Sequence, residues 1–284
     1  MHSFRFRNPN RLHGVIRPVH FMPAVLLLLL CGYGSPSPKS NVPQEVTRYE
    51  QAVITVKGQT ATLHVSEGRP LAAALYALSQ RFGWRFGFEE ARLRYRGDVV
   101  DVTSPKYVSK SADDRAYDPR GGVLDLTFTL SAGAGQSADP RHVVEQLLAQ
   151  YHARGYPGRY SFEAPQDPSG YICVFPVAAA NERGVIEPQE SVVRRTVTVA
   201  VRERETLDTV LQGVLNQLGA ASGARVWWGG MAMSTMSQPA PLPVQTTKEP
   251  AYLFVNWTAA VLHSDFWQVL WDFHDKYYVL GYGH

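Results

Sequence analysis

The sequence is poor in cysteine and has no long apolar segment. Of its 284 residues only Cys31 and Cys173 are cysteines, so no intrachain disulfide can form if Cys31 is cleaved off or lipidated. Cys173 lies in the strand-like apolar run 171–175, which predicts a small buried core residue rather than a nucleophile. The apolar run 21–30 would span about 15 Å as a helix, roughly half of a bilayer core. We therefore expect no stable membrane-spanning helix there.

The chain also lacks the short motifs that mark common enzyme active sites. It contains no Gly-x-Ser-x-Gly and no Ser-x-x-Lys nucleophile motif. It has no phosphate-binding Gly-x-x-x-x-Gly-Lys-Ser/Thr loop, and no Gly-x-Gly-x-x-Gly follows a predicted strand. These absences favour a protein that is not an enzyme and that uses no cofactor.

Without the amino-terminal leader, the chain carries nearly equal numbers of basic and acidic residues. The chain has 28 basic and 25 acidic residues, and four of the basic ones are the leader residues Arg5, Arg7, Arg11 and Arg17. The remaining 24 basic residues are balanced by 25 acidic ones. A nucleic-acid interface needs a basic stripe, and none stands out in this part of the chain. We expect no nucleic-acid partner.

What the sequence does contain begins with an export signal. The basic leader has no acidic residue, it is followed by the apolar run 21–30, and Gly32 and Gly34 then supply small residues for cleavage. This pattern predicts a signal peptide over residues 1–34 and a flexible mature end over residues 35–47. The mature protein is then periplasmic or extracellular.

Cys31 leaves the form of export open. Residues 28–32 resemble a lipoprotein processing site, in which the cysteine becomes the lipid-bearing first residue. Leu30 departs from that pattern, because Gly or Ala normally precedes the cysteine. Simple secretion, a lipid anchor that attaches the protein to a membrane through Cys31, and a retained membrane anchor all stay open.

Apolar periodicity in the mature chain predicts an α+β fold. Three segments place apolar residues on one face of a helix, each between runs of alternating apolar residues that are typical of strands. The helical stripes are Leu71, Leu75, Leu78 and Phe82; Val143, Val144, Leu147, Leu148 and Tyr151; and Leu207, Val210, Leu211, Val214, Leu215 and Leu218. We expect tandem β-α-β(β) units, in which each helix packs on its own small sheet.

Composition then divides the chain. Loops and linkers are marked by Gly, Pro, Ser and Asp-rich stretches with little periodicity. The predicted segments are a first unit at 48–103, a linker or long loop at 104–121, a second unit at 122–178, a third unit at 190–230, a linker at 231–249, and a C-terminal helix with a β-hairpin at 250–284.

Residues 69–84 carry the pattern x-Pro-Leu-x-x-Ala-Leu-x-x-Leu-x-x-x-x-Gly between two predicted strands. This pattern resembles the short N-terminal domain of secretins and TonB-dependent receptors, and residues 205–211 are similar to its helix opening. The resemblance implies a small periplasmic β-α-β module that docks other proteins and has no catalytic residues.

The whole mature chain is also similar to a group of uncharacterised exported bacterial proteins. The shared features are a helix, a Tyr-x-x-x-Gly-x-Pro-Gly-x-Tyr/Phe segment at residues 151–160, and an aromatic C-terminal hairpin. This resemblance implies export and fold, and it implies no particular function.

A group of histidines and carboxylates near the C-terminus is the best candidate for metal chemistry. It consists of His263, Asp265, Asp272, His274 and Asp275. Imidazole and carboxylate groups are good zinc ligands, and Asp272 and His274 would share one strand face. A polar hairpin turn explains His274 and Asp275 better than a metal site does, so we expect no metal site.

Two pairs of adjacent carboxylates are candidates for acid–base chemistry. They are Glu89 with Glu90 and Asp113 with Asp114. Adjacent acids in strands or loops point apart or into solvent, so we expect a solvated edge at both positions.

Aromatic residues crowd the last third of the chain and are candidates for partner contacts. Trp227 and Trp228 are adjacent, so they face opposite sides of a strand, and we expect Trp228 to be the exposed one. Tyr278 and Tyr282 are the other interaction candidates.

These observations favour a non-catalytic cell-envelope protein that mediates protein–protein interaction through exposed strand edges or an aromatic patch. One alternative is an envelope glycan-binding module, which requires several coplanar exposed aromatic side chains. A second alternative is a metal-dependent hydrolase, which requires at least three of the C-terminal ligand candidates to converge.

Overall fold

The structure of the chain, a computed structural model, describes residues 52–103, 115–131, 137–165, 170–229, 234–237, 239–240 and 244–283. All of these residues belong to one of the two compact units into which the chain divides, Thr47–His284. The predicted signal peptide, Cys31 and the predicted flexible segment 35–47 lie outside the described residues, and so does the pair Asp113 and Asp114.

In the described residues, four helices lie where proline, capping residues and apolar stripes indicate them. They are α1 (Pro70–Phe82), α2 (Pro140–Ala153), α3 (Leu207–Ser222) and α4 (Ala251–Val261). The Asp139 carboxylate accepts a hydrogen bond from the Arg141 N–H at the start of α2, and the Thr206 hydroxyl accepts one from the Thr209 N–H at the start of α3. The predicted stripe residues are buried, apart from the half-buried Phe82.

Strands are shorter and more numerous than the helices. They are β1 (Ala52–Lys57), β2 (Thr60–Glu67), β3 (Phe86–Glu89), β4 (Val99–Asp101), β5 (Tyr117–Pro119), β6 (Gly122–Thr129), β7 (Arg159–Glu163), β8 (Ile172–Ala180), β9 (Ile186–Pro188), β10 (Thr196–Val201), β11 (Arg225–Trp228), β12 (Gln245–Pro250), β13 (Phe266–Asp272) and β14 (Tyr277–Gly283). Short 3-10 helices lie at Arg96–Asp98 and Ser234–Ser237. The predicted α+β class is confirmed, and so is the C-terminal β13–β14 hairpin. Strands β1 and β2 form a second hairpin.

One mixed sheet of seven strands organises the described part of the chain. Its order is β11-β14-β13-β3-β8-β7, and β9 also pairs with β8. The pairs β11–β14, β13–β3 and β3–β8 are parallel, and the others are antiparallel. Smaller sheets have the orders β1-β2-β6, β10-β12 and β4-β5.

This topology corrects the expectation that each helix packs on its own small sheet, because the strands that flank one helix belong to different sheets. Strand β3 follows α1, yet it hydrogen-bonds with β13 on one side and β8 on the other. Strand β11 follows α3 and pairs with β14. All four residues of β3 are buried, and a strand buried on both faces is stable only when both of its edges are also paired. Strands from the predicted first, second, third and C-terminal units therefore share one sheet.

Both predicted linkers contain strands. Residues 104–121 include β5, which pairs with β4, and residues 231–249 include most of β12, which pairs with β10. Strand β12 is the polar sequence Gln-Thr-Thr-Lys-Glu-Pro, so it lacks the apolar alternation that predicts a strand. Its backbone pairing with β10 holds it in the sheet instead.

The segment at residues 151–160 joins the end of α2 to the centre of the fold. The Tyr151 hydroxyl donates a hydrogen bond of 2.7 Å to the Pro157 carbonyl, and the Tyr160 hydroxyl accepts one of 3.1 Å from the Ala91 N–H. Gly158 has a φ of +83°, and an added Cβ would lie 2.9 Å from the Cβ of Ala91. Tyr151, Tyr160 and Gly158 therefore have a packing role.

The two faces of the large sheet are covered by different helices. Tyr76 of α1 packs edge-on against Phe266, with ring centroids 5.5 Å apart. Asn256 of α4 accepts a hydrogen bond of 2.6 Å from the indole N–H of Trp267. Because adjacent residues of a strand point to opposite faces, α1 and α4 lie on opposite sides of β13.

Candidate functional site

Strand β11 forms one end of the seven-stranded sheet. It pairs with β14 along one edge, and no described strand pairs with its other edge. An unpaired strand edge presents backbone N–H and C=O groups to which an extended chain can add. This edge is therefore a candidate docking position.

A row of apolar side chains lies beside that edge on one face of the sheet. Trp227 of β11 is opposite Val279 of β14, which is in turn opposite Leu270 of β13. Trp227 is 49% exposed, and Val279 and Leu270 are half-buried. In the next row, Arg225 is opposite Tyr277, and the Arg225 guanidinium lies 5.8 Å from the centroid of the Trp227 ring. We call these five residues the Trp227 surface.

The helices explain why the Trp227 surface stays accessible. Helix α3 packs on β11, and Val226, which faces away from Trp227, is only 6% exposed. Helix α1, on the other face of the sheet, packs against β3 and β13 rather than β11. In the described residues, the Trp227 side of β11 thus stays open to solvent.

The structure corrects the predicted interaction residues. Trp228 is half-buried, and its ring centroid lies 4.9 Å from that of Tyr282, which is also half-buried. Tyr278 is 1% exposed and packs 4.8 Å from Trp271. Register decides this outcome, because Trp228 lies opposite Leu280 on the face that carries the core. The exposed member of the tryptophan pair is Trp227, not Trp228.

The C-terminal carboxylate candidates serve the fold. Asp265 accepts a hydrogen bond of 3.1 Å from the Arg85 Nε–H, which ties the start of β13 to the start of β3. Asp272 accepts a bond of 2.7 Å from the Asp275 N–H within the hairpin turn. Both carboxylates therefore accept hydrogen bonds within the fold, and they lie at opposite ends of β13.

The histidine candidates lie apart from one another. His263 follows α4 with a φ of 55°, and His274 lies in the β13–β14 turn, 6.1 Å from the Tyr117 ring. Among the residues that the structure describes, no three His, Cys, Asp or Glu side chains are placed to hold a metal ion. The convergence that a metal-dependent hydrolase requires is not found in that part of the chain.

A groove of about 600 Å³ lies where the parallel strands β13, β3 and β8 begin. Trp84, Arg85, Arg141 and Asp265 are among the residues that line it. The Arg85–Asp265 ion pair spans part of the groove, and the Arg141 guanidinium donates to the Pro165 carbonyl. These polar groups already bind one another or the backbone, so they leave the groove few polar groups with which to bind a ligand.

Glu89 and Glu90 are buried, so the predicted solvated edge is wrong. Glu89 is fully buried, and its carboxylate accepts hydrogen bonds from the Ser191 hydroxyl at 2.5 Å and from the Val192 and Val193 N–H groups at 2.8 and 3.1 Å. Burial raises the pKa of Glu89 to about 7, although these hydrogen bonds oppose the rise. The carboxylate binds the chain between β9 and β10 to the end of β3.

Glu90 is 3% exposed and joins three parts of the fold. It accepts hydrogen bonds from the Arg69 Nε–H at 3.0 Å and from the Trp271 N–H at 2.9 Å, and Arg69 also pairs with Asp118. Burial raises the pKa of Glu90, and the Arg69 charge opposes that rise. The adjoining cavity is only about 10 Å³, which leaves no space for a substrate.

Cys173 is a core residue, as its strand-like context predicts. It is 1% exposed, and its thiol lies 3.4 Å from the Asn256 side-chain oxygen. Burial raises the pKa of Cys173 to about 12, so the thiol is protonated at neutral pH. A nucleophilic thiolate is not available there.

Comparisons with known proteins supply no relative. The chain matches no protein-family model, no curated protein and no solved structure. The resemblance of residues 69–84 to the secretin and TonB-receptor module therefore stays a prediction. No helix in the described ranges combines the length and the apolar character that crossing a bilayer requires.

Proposed function

We propose that this chain is a non-catalytic protein of the cell envelope that docks a partner protein, and that an extended segment of the partner adds to the open edge of β11. The observation that carries the proposal is the large, 49% exposed Trp227 side chain on a strand whose outer edge has no described partner. Tryptophan is among the residues that contribute most to binding at protein interfaces.

The surface also indicates what the docked segment looks like. An added strand would form backbone hydrogen bonds with β11, and alternate side chains would cover the row formed by Trp227, Val279 and Leu270. The positive charge of Arg225 beside that row favours an acidic residue in the same segment. The expected partner sequence is thus an extended run with alternating apolar residues and an acidic residue near one end.

The predicted export signal favours a partner outside the cytoplasm. The basic leader and the apolar run 21–30 predict a signal peptide, and residues 69–84 resemble a periplasmic docking module. The partner is therefore an envelope protein rather than a cytoplasmic one.

A glycan-binding role gains no support from the described residues. Stacking on sugars requires neighbouring exposed aromatic side chains. The aromatic side chains that are most exposed are Trp227 and Tyr95. Tyr95 packs against Gly184, whereas Trp227 lies directly opposite the aliphatic Val279, and Tyr277 in the next row is half-buried.

Site-specific photo-cross-linking in the native host tests the proposal. A photoreactive amino acid replaces Trp227 in one variant and Val53 in the other. Val53 is the matched control, because it is 54% exposed and lies on β1, the edge strand of a different sheet. We expect one discrete adduct with an envelope protein at position 227 and none at position 53.

Binding of the purified, cross-linked partner completes the test. Trp227→Ala should weaken the affinity about 30-fold or more, as expected for a residue at the centre of an interface. Val53→Ala should leave the affinity unchanged. Equal affinities for the Trp227→Ala variant and the unmodified chain would remove the basis of the proposal, as would adducts of equal yield at both positions.

A further inference from the structure

A separate cavity of about 210 Å³ lies at the carboxyl end of α3. The chain after β3 supplies Arg92 and Arg94 to its lining, and the segment after β9 supplies Gln189 and Arg195. Ser222, the last residue of α3, completes this side of the cavity. Three guanidinium groups thus converge on a space that is larger than a few water molecules require.

The three arginines of this cavity differ in their ion pairs. Arg94 pairs with Glu187 at 3.3 Å, and Arg195 pairs with Glu190 at 2.8 Å. No described carboxylate lies within ion-pair distance of Arg92. Arg92 is therefore the arginine of this lining that forms no ion pair with a described carboxylate.

Arg92 is held in place by weaker contacts. Its guanidinium lies 5.0 Å from the centroid of the Trp271 ring, and one of its terminal nitrogens is 3.4 Å from the Ser222 carbonyl oxygen. Stacking on an aromatic ring holds a guanidinium while it leaves the N–H edge available for an anion.

Hydrogen-bond donors of the lining also lack acceptors. The buried Nε of Arg92, Nε of Arg195 and Nε2 of Gln189 have no acceptor among the described residues. A buried donor without an acceptor is costly, and most buried polar groups in proteins are paired. Three such donors around one cavity indicate that an acceptor belongs there.

We propose that this cavity binds a small oxyanion with a single negative charge, such as a carboxylate or a monovalent phosphate. The anion neutralises the unpaired charge of Arg92, and binding turns the guanidinium groups so that their Nε–H groups meet its oxygens. Glu187 and Glu190 hold Arg94 and Arg195 in position, and their charges disfavour an anion with two negative charges.

Thermal unfolding of the full chain with acetate, inorganic phosphate, sulfate and chloride at equal ionic strength tests the proposal. We expect a saturable rise in Tm with acetate or phosphate of roughly 5–10 °C when the anion exceeds its Kd about 100-fold. Acetate alone would identify a carboxylate ligand, and phosphate alone a phosphate ligand. Failure of both to raise Tm would refute the site.

Variants separate binding from general salt effects. Arg92→Gln should abolish the saturable rise in Tm, and Gln189→Leu provides a second test if Arg92→Gln does not fold. Arg183→Gln is the control, because Arg183 is exposed and does not line the cavity. Anions that are excluded from protein surfaces also stabilise folded proteins, without saturation. A rise of that kind, equal in Arg92→Gln and in the unmodified chain, would overturn the proposal.

Discussion

The Ser191 hydroxyl donates a hydrogen bond of 2.5 Å to the carboxylate of Glu89, which lies 102 residues earlier in the chain. Both side chains are buried, and the bond connects the end of β3 to the segment between β9 and β10. The carboxylate therefore contributes to the tertiary structure, but burial removes its charged form from water and so disfavours that form.

The buried Glu89 makes stability depend on pH. Its pKa is about 7 in the folded chain against 4.5 for an ordinary glutamate, so the folded state binds the proton more tightly. The stabilisation from this group is complete below pH 4.5 and is lost as pH rises through 7. The loss amounts to about 3 kcal/mol.

Urea unfolding of the unmodified chain and of Glu89→Gln across this pH range measures the effect. The free energy of unfolding of the unmodified chain should fall relative to that of the variant as pH rises. The variant removes the titrating group and keeps one acceptor oxygen for the backbone N–H groups. Stability curves that run parallel from acid to neutral pH would show that Glu89 does not titrate in this way.

The Arg69 side chain provides a second prediction, because it neutralises the buried Glu90. Arg69→Met leaves that carboxylate buried with no cation, which should cost about 3–5 kcal/mol of unfolding free energy. The control is Arg94→Met, which breaks an ion pair whose side chains are 41% and 46% exposed. Exposed pairs contribute less than about 1 kcal/mol.

The double variant Arg69→Met with Glu90→Gln distinguishes charge from packing. Removing the unpaired charge should recover part of the stability that Arg69→Met loses. If Arg69→Met costs no more than Arg94→Met, or if the second substitution recovers nothing, Glu90 is not held by the Arg69 charge.

Gly87 and Gly213 should respond to alanine with opposite signs. An added Cβ at Gly87 would lie 2.2 Å from the Trp267 ring, and that ring is fully buried and hydrogen-bonded to Asn256. Gly87→Ala should therefore destabilise by about 1–3 kcal/mol or more.

Gly213 lies on an exposed position of α3, and no atom would approach an added Cβ within 4 Å. Gly213→Ala should stabilise by about 0.5–1 kcal/mol, because alanine loses less backbone entropy in a helix. Chemical denaturation of both variants checks the pair, and a stable Gly87→Ala variant would mean that β3 and β13 do not pack as described.

The helices could be predicted because their signals are local. Asp139 and Pro140 mark the start of α2 within two adjacent residues, and the apolar residues that follow repeat at helical spacing. The same holds for α3, in which every predicted stripe residue from Leu207 to Leu218 is buried. These signals need no knowledge of the rest of the chain.

The order of strands could not be predicted in this way. Phe86 pairs with Phe266 on one side and Ile172 on the other, and alternation indicates a strand without naming its partners. The same limit explains why the burial of Glu89 could not be predicted. Alternation places its side chain on the face of β3 opposite to the apolar residues. That second face is covered too, because Gly87 leaves space for the Trp267 ring.

The candidate site shows the same limit at a single strand. Two adjacent tryptophans must face opposite sides, and the sequence offers no sign of which side α3 covers. Register with β14 decides it, since Trp228 lies opposite the fully buried Leu280. Half of the prediction, that one tryptophan of the pair is exposed, could be made from the sequence alone.

Hydrogen–deuterium exchange of the chain with its cross-linked partner tests the central claim most directly. If the partner adds a strand to β11, amide exchange in Arg225–Trp228 should slow on binding, whereas exchange in Ala52–Lys57 of the control strand β1 should not change. Partner binding that leaves the exchange of β11 unchanged, or that protects β1 instead, would contradict the account.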